Sequence, residues 1–242
     1  MIYYFSATGN SKYVAQRLAK ALDDKAFPVS DNPILDISDA EPVGFVSPVY
    51  FWGLPWLLAD FVKALHLSDD HYCYVVLTCG GSTGNAAGML EKLLGRPLDA
   101  RFSVKMPDTW TPMFDVSDVE ANNALLDAAE PVIDACIAKI RSREWGNFDQ
   151  LRGLGQVATS LVYPFYKRQS TRKFKVADSC TGCGRCADQC PAQAIAMNQD
   201  RPVWNKEHCL FCLSCLHLCP QFAISYGPQT HKHGQYYNPR VK

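Results

Sequence analysis

Eight of the eleven cysteines in this 242-residue chain fall into one spacing written twice. Cys180, Cys183, Cys186 and Cys190 read C-x2-C-x2-C-x3-C and are closed by Pro191. Cys209, Cys212, Cys215 and Cys219 repeat the spacing 29 residues later and are closed by Pro220. The echo outlasts the cysteines, since Ala192-Gln193-Ala194-Ile195 is answered by Gln221-Phe222-Ala223-Ile224. Three thiolates at such intervals let a tight loop wrap three corners of a small cube with its backbone N–H groups aimed at the sulfides. The Cys-Pro step then sends the fourth thiolate to a neighbouring cube. That chemistry belongs to [4Fe–4S] clusters, which carry one electron at a time. On this pattern Cys180, Cys183, Cys186 and Cys219 hold one cluster, and Cys209, Cys212, Cys215 and Cys190 hold the other. Gly182 and Gly184 suit a loop that must bend at little steric cost.

Zinc sites use C-x2-C pairs well separated in sequence and do not call for three consecutive cysteines plus Cys-Pro. Disulfides imply export, and Met1-Ile2-Tyr3-Tyr4-Phe5 has no basic n-region or cleavage site, so a cytoplasmic chain is expected. Residues 176–226 resemble the bacterial two-[4Fe–4S] ferredoxin family. Between the motifs, residues 195–197 and 202–204 flank Asn198-Gln199-Asp200 as a small hairpin. With so few apolar residues, the clusters are expected to hold this module together. His208 and His217 neighbour cluster cysteines, but cysteine already fills every ligand place. His66, His71, His231 and His233 show no metal spacing. Cys73 and Cys136 read as small buried apolar residues.

The remaining length has room for a second domain. Formal net charge is zero but unevenly placed. Residues 1–140 carry 10 Lys+Arg against 18 Asp+Glu, whereas residues 141–175 carry 8 against 2. An acidic unit beside a basic connector reads either as intramolecular attraction or as a solvated linker. No apolar run approaches the roughly 20 residues of a membrane span. Residues 154–166 hold Pro164 and read as a helix docked between domains. Their neighbours Lys167, Arg168, Arg172, Lys173 and Lys175 leave peripheral membrane contact as the less favoured alternative. Nothing points to nucleic acid.

Strands and helices alternate over the first 140 residues, the pattern of a parallel sheet covered on both faces. Strands are expected at residues 2–5, 34–37, 43–47, 72–77 and 102–106, and helices at 11–22, 55–65, 85–94 and 118–140, the last broken or kinked at Pro131. The expected fold class is α/β, a flavodoxin-like doubly wound parallel sheet of five strands in order 2-1-3-4-5, plus a small α+β ferredoxin domain. The expected divisions are 1–142, a basic and partly helical connector at 143–175, and 176–242. Ligands bind such sheets outside the strands' carboxyl ends. There Ser6-Ala7-Thr8-Gly9-Asn10-Ser11 places hydroxyls, a glycine and backbone N–H groups at a helix start, a neutral phosphate cradle. It lacks the Gly-Lys-Ser/Thr ending of a nucleotide triphosphate loop.

This loop resembles the S/T-x-T-G-x-S/T motif with which the flavodoxin family holds the phosphate of FMN. The resemblance implies that Ser6, Thr8, Gly9, Asn10 and Ser11 hold that phosphate. It further implies that Pro48, Tyr50, Trp52 and Gly53, in Pro48-Val49-Tyr50-Phe51-Trp52-Gly53-Leu54-Pro55, lie along the flavin ring. Thr78, Cys79, Gly80 and Gly81 begin a third loop, where glycines permit close backbone approach to a flat ligand. That loop lacks the stacking tyrosine many flavodoxins carry, and Trp110 follows the last strand as a substitute. Nearly the whole chain resembles the flavodoxin–ferredoxin fusion proteins of anaerobes. The resemblance implies two [4Fe–4S] clusters and FMN exchanging electrons with each other and with a redox partner. Two alternatives stand: an FMN-dependent reductase of a small organic acceptor such as a quinone, and a ferredoxin with a flavin-free docking domain.

Overall fold

Residues 73–77 are apolar on both sides of the pleat, which suits only a strand covered on both faces. In the computed structural model, which describes residues 1–31, 37, 42–65, 67–68, 70–153 and 155–241, they lie near the middle of the sheet. The chain forms β1 (Ile2–Tyr4), α1 (Asn10–Leu22), β2 (Ala26–Pro28), β3 (Val43–Pro48), α2 (Trp56–Lys63) and β4 (Cys73–Cys79). It continues as α3 (Ala86–Leu94), β5 (Ala100–Lys105), α4 (Val119–Arg141) and β6 (Gly146–Phe148). These strands make one six-stranded sheet, ordered β2-β1-β3-β4-β5-β6 and parallel throughout. Val75 and Leu77 pack with Tyr3, Phe45, Leu58 and Leu90 on one face. Tyr74 and Val76 pack with Val14, Leu18, Phe102 and Ile133 on the other.

Two expectations change, and a third falls on residues outside those described. The strand at residues 34–37 falls outside the described residues except for Ile37, which is in no strand. The place beside β1 is taken by β2, because Asp23 closes α1 in a left-handed conformation (φ 54°) and returns the chain at once. Among the described residues the sheet has six strands, not five, because residues 146–148 of the expected connector pair with β5. Phe148 secures that edge by stacking on Phe102 at 5.2 Å and lying under the Lys139 ammonium at 4.2 Å. Finally, α4 runs through Pro131 without ending. Pro131 and Asp127, the residue whose carbonyl it leaves without a helical partner, both lie on the exposed face.

Beyond the sheet come α5 (Gly155–Lys167), β7 (Phe174–Val176), α6 (Arg185–Asp188), β8 (Ile195–Asn198), β9 (Arg201–Trp204), α7 (Ser214–His217) and β10 (Ile224–Tyr226). β8 and β9 form the expected hairpin and β7 pairs antiparallel with β10. Phe174, Leu210, Phe211, Leu216 and Ile224 are continuous with the apolar body around Phe45 and Leu58, so the two units share one core. Among the described residues no helix is long and apolar enough to cross a membrane.

If β6 is an integral edge strand, Phe148→Ala removes a stacked ring and a cation–π contact. It should destabilise the protein by about 1–2 kcal/mol in urea unfolding. A neutral effect would mean that residues 146–148 behave as linker.

Candidate functional site

Two loops of the repeated cysteine motif fold alike. The 29-residue offset seen in sequence relates α6 to α7 and reappears in the backbone angles. Gly182 and Gly184 have φ of 69° and 76°, and their counterparts Phe211 and Leu213 have 50° and 55°. A left-handed non-glycine residue costs on the order of 1 kcal/mol or more. Both side chains are almost fully buried, which contributes about 1.5–3 kcal/mol each and offsets that strain.

Cys180, Cys183, Cys186 and Cys219 line one small cavity together with Met197, Pro202 and Ile224. Cys190, Cys209, Cys212 and Cys215 form the second group. Burial, then neighbouring sulfurs, push Cys212 up to about 12. Burial pushes Cys209 up to about 11, with Cys190 adding to the rise. Four thiolates cannot occupy that volume without compensating positive charge. All eleven cysteines are free. Among the described residues no three Cys, His, Asp or Glu side chains converge closely enough for a single metal ion. Four thiolates arranged around one cavity suit a multi-iron cluster. Backbone N–H groups of Ala194, Ala223 and Phe211 donate to the sulfurs of Cys190, Cys219 and Cys209, each at 3.3 Å. Such bonds stabilise charge on the sulfur and tune a cluster's potential.

The second site is a cleft of about 570 Å³ at the carboxyl edge of the sheet, within the range for cofactor sites. It brings together Ser6, Thr8, Asn10, Ser11, Pro48, Tyr50, Trp52, Thr78, Cys79, Gly80 and Gly81. Gly9 and Gly53 do not line it. Gly9, at φ 91°, packs against Asn238 and Val241, and Gly53 lies against the Tyr163 ring. α1 starts at this loop with no side-chain cap and no acidic residue in its first turn. Its N-terminal N–H groups and dipole therefore suit an anion. The Ser11 hydroxyl is shared with Thr78 at 2.8 Å. The Asn10 amide turns the other way, donating to the Pro107 carbonyl at 3.1 Å.

The second loop is a tight turn. Tyr50 and Gly53 exchange both backbone hydrogen bonds at 2.9 Å, with Phe51 and Trp52 both left-handed (φ 49° and 63°). Two bulky aromatics in that region are strained and persist only where neighbours over-determine them. α5 supplies the restraint. The Thr159 hydroxyl donates to the Trp52 carbonyl at 3.2 Å and the Tyr163 hydroxyl to the Leu54 carbonyl at 2.6 Å. The Tyr50 ring meets Phe5 and Tyr166 edge-on. Trp110 lines the cleft while packing against Phe51, Phe211 and Tyr226, so it sits where the two units join.

Several lining residues carried no signal in the sequence. Phe211 and Cys212 reach the cleft from the cysteine-rich unit, and Val162 from α5. These are long-range contacts without local pattern. Asp108 and Thr109 lie beside the noted Trp110. Asp108 stands where a side chain on Gly80 would fall, 2.5 Å from the ideal Cβ position, which is why that place needs glycine. Its carboxylate accepts from the Trp110 N–H at 3.1 Å. Burial nevertheless raises its pKa above the usual carboxylate value. The folded protein therefore holds the Asp108 proton more tightly than the unfolded chain. Its contribution to stability is fully present below the ordinary carboxylate pKa and is lost as pH rises through the elevated value. Asp108→Asn keeps an acceptor for Trp110 and removes the titration. It should remove that loss in denaturant titrations from pH 4 upward and raise stability at pH 7.

A flavodoxin domain family model matches residues 1–135, and a 4Fe-4S dicluster domain model matches residues 172–220. Curated relatives match over short stretches, about a tenth to a fifth of the chain. Ferredoxin from Methanothermococcus thermolithotrophicus is 37% identical over 51 residues, 20% of this chain and 85% of that one. A component of the ion-translocating oxidoreductase complex of Methanosarcina acetivorans is 40% identical over 45 residues, 19% of this chain and only 17% of that protein's length. Among solved structures, an FMN-dependent NADH-azoreductase from Bacillus anthracis in complex with FMN has a TM-score of 0.41 at 11% identity, covering 58% of this chain and 98% of that one. The Trp repressor binding protein from Bacillus subtilis has a TM-score of 0.35 at 15% identity, covering 54% and 94%.

Proposed function

The chain belongs to the flavodoxin family by its residues 1–135, and from that premise we propose that it passes electrons between two [4Fe–4S] clusters and FMN within one molecule. Its flavodoxin and 4Fe-4S domains make it an electron-transfer iron–sulfur flavoprotein. One observation carries the finer reading. Cys212, a ligand of the second cysteine group, lines the same cleft as the phosphate loop Ser6–Ser11.

On this reading Cys180, Cys183, Cys186 and Cys219 hold an outer cluster, and Cys190, Cys209, Cys212 and Cys215 an inner one. The α1 N-terminus, Ser6 and Thr8 bind the FMN phosphate, with Gly9, Asn10 and Ser11 shaping the turn. Pro48, Tyr50, Trp52, Thr78, Cys79, Gly80 and Gly81 line the ring, and Gly53 closes the turn beside it. FMN, when bound, supplies a centre that exchanges electrons singly or in pairs. Phe211 and Trp110 fill the space beside Cys212 and keep water out, which keeps the path short. Covalent linkage makes the second centre permanently local. The proposed units are 1–142, 143–175 and 176–242, with α5 of the middle segment holding the turn that follows β3 against the inner cysteine loop.

A redox protein is the proposed external partner. A small organic acceptor is the second reading, favoured by Met113 and Phe114, which line the cleft and are 69% and 41% exposed. Such an apolar rim suits a planar, uncharged acceptor.

Anaerobically reconstituted protein should contain iron and sulfide equal to two cubanes and one FMN per chain. After flash or dithionite reduction of the clusters, flavin bleaching followed by stopped flow should be independent of protein concentration. A rate linear in protein concentration would refute intramolecular transfer. Full cluster loading without FMN would favour a flavin-free docking domain.

A further inference from the structure

Residues 228–241 leave β10 and cross back over the sheet unit to the phosphate loop. The Asn238 N–H donates to the Thr8 carbonyl at 2.9 Å. The Tyr236 hydroxyl and the Asn238 side-chain amide both donate to Asn10 Oδ1, at 2.7 and 3.0 Å. Asn10 Nδ2 donates in turn to Pro107, so the amide of this cleft-lining residue is hydrogen-bonded at both ends. A Cβ on Gly9 would lie 3.0 Å from Asn238 Cβ and from Val241 Cγ2. Asn238 is fully buried and Tyr236 nearly so.

The strap is anchored on both sides of this contact. Arg240 donates to the Leu126 carbonyl at 2.9 Å and pairs with Glu130 at 2.6 Å and with Asp127. On the other side, Gln235 Nε2 donates to the carbonyls of Leu216 and Cys219 at 2.6 and 2.8 Å. The Tyr236 N–H donates to His217 Nδ1 at 3.1 Å, so His217 Nε2 carries the hydrogen and donates to the Thr109 carbonyl at 2.9 Å. A single chain segment thus ties the cysteine loops, the rim of the cleft and the phosphate loop together.

We infer that Tyr236 and Asn238 are positioning residues for the phosphate loop and set the preference of the cleft for a phosphorylated flavin over an unphosphorylated one. This rests on the reading that the cleft binds FMN. The loop's turn is held at a positive φ by Gly9 and α1 carries no side-chain cap. Without the strap, Thr8, Gly9 and Asn10 regain alternative backbone states. Apparent affinity then falls in proportion to the fraction of molecules holding the N–H groups in place. Only the phosphate uses those groups, so the isoalloxazine ring's own contacts are untouched.

The test compares FMN and riboflavin binding to the full-length, cluster-loaded protein by flavin fluorescence quenching, for wild type, Asn238→Ala and Tyr236→Phe. The expected result is FMN affinity weakened about tenfold in Asn238→Ala, the scale of one lost buried hydrogen bond, and less in Tyr236→Phe, with riboflavin affinity and iron content unchanged. Tyr236→Phe removes one oxygen atom and carries the test alone if the buried Asn238→Ala protein fails to fold. Unchanged FMN affinity in the folded variants, or parallel weakening of FMN and riboflavin, would overturn the inference. A wild-type protein that binds riboflavin as tightly as FMN would remove the phosphate-site reading, and the inference with it. Wild-type preference for FMN that persists in both variants would sink the inference alone.

Discussion

The hydrogen bond from the Tyr166 hydroxyl to the Leu210 carbonyl, at 3.1 Å, is the joint on which the relation between the two sites depends. The ring of Tyr166 stacks on Phe51 at 5.8 Å, while the Trp56 amide faces the same hydroxyl from the start of α2. One side chain therefore touches the strained turn beside the cleft, the first turn of a sheet-flanking helix, and the loop carrying Cys209 and Cys212. Because Tyr166 is buried, breaking its bonds leaves polar groups without water, which is costlier than the bonds are individually favourable. The two units are held as neighbours by this part of α5, and a cleft shared between them follows from it.

Strain is stored at the same place. Phe51, Trp52, Phe211 and Leu213 all adopt left-handed backbone conformations, and three of them sit within the aromatic and apolar body where sheet and cysteine loops meet. Glycine would relieve each position locally but would remove the side chain that fills the junction. Local preference has been overridden by burial, as expected where geometry at a site is fixed by its surroundings.

The sequence made the cysteine spacing, the order of the central strands and the three cleft loops legible, because each rests on a local pattern: an interval, an apolar run, or a turn after a strand. What escaped it was set by distance along the chain. β6 reads as a charged connector and becomes a strand only when Phe148 meets Phe102. Asn10 reads as a phosphate ligand by its place in a loop motif, but its side chain is occupied by Tyr236 and Asn238, more than two hundred residues away. Phe211 and Cys212 belong by pattern to one site and by contact to both. Pro131 reads as a break or a kink, and of the two the break is absent because α4 continues through it.

The 29-residue repeat gives the module two halves of like backbone, and the side chains at the left-handed positions make them unlike in surroundings. The half with Gly182 and Gly184 has Cys183 exposed, whereas the half with Phe211 and Leu213 is wedged into the junction. On the proposed reading the three redox centres form a series circuit: a terminal open to the outside, an insulated middle element, and the cleft. On that reading the broken symmetry gives the circuit two unlike ends, one exposed and one at the cleft, with the buried cysteine group between them.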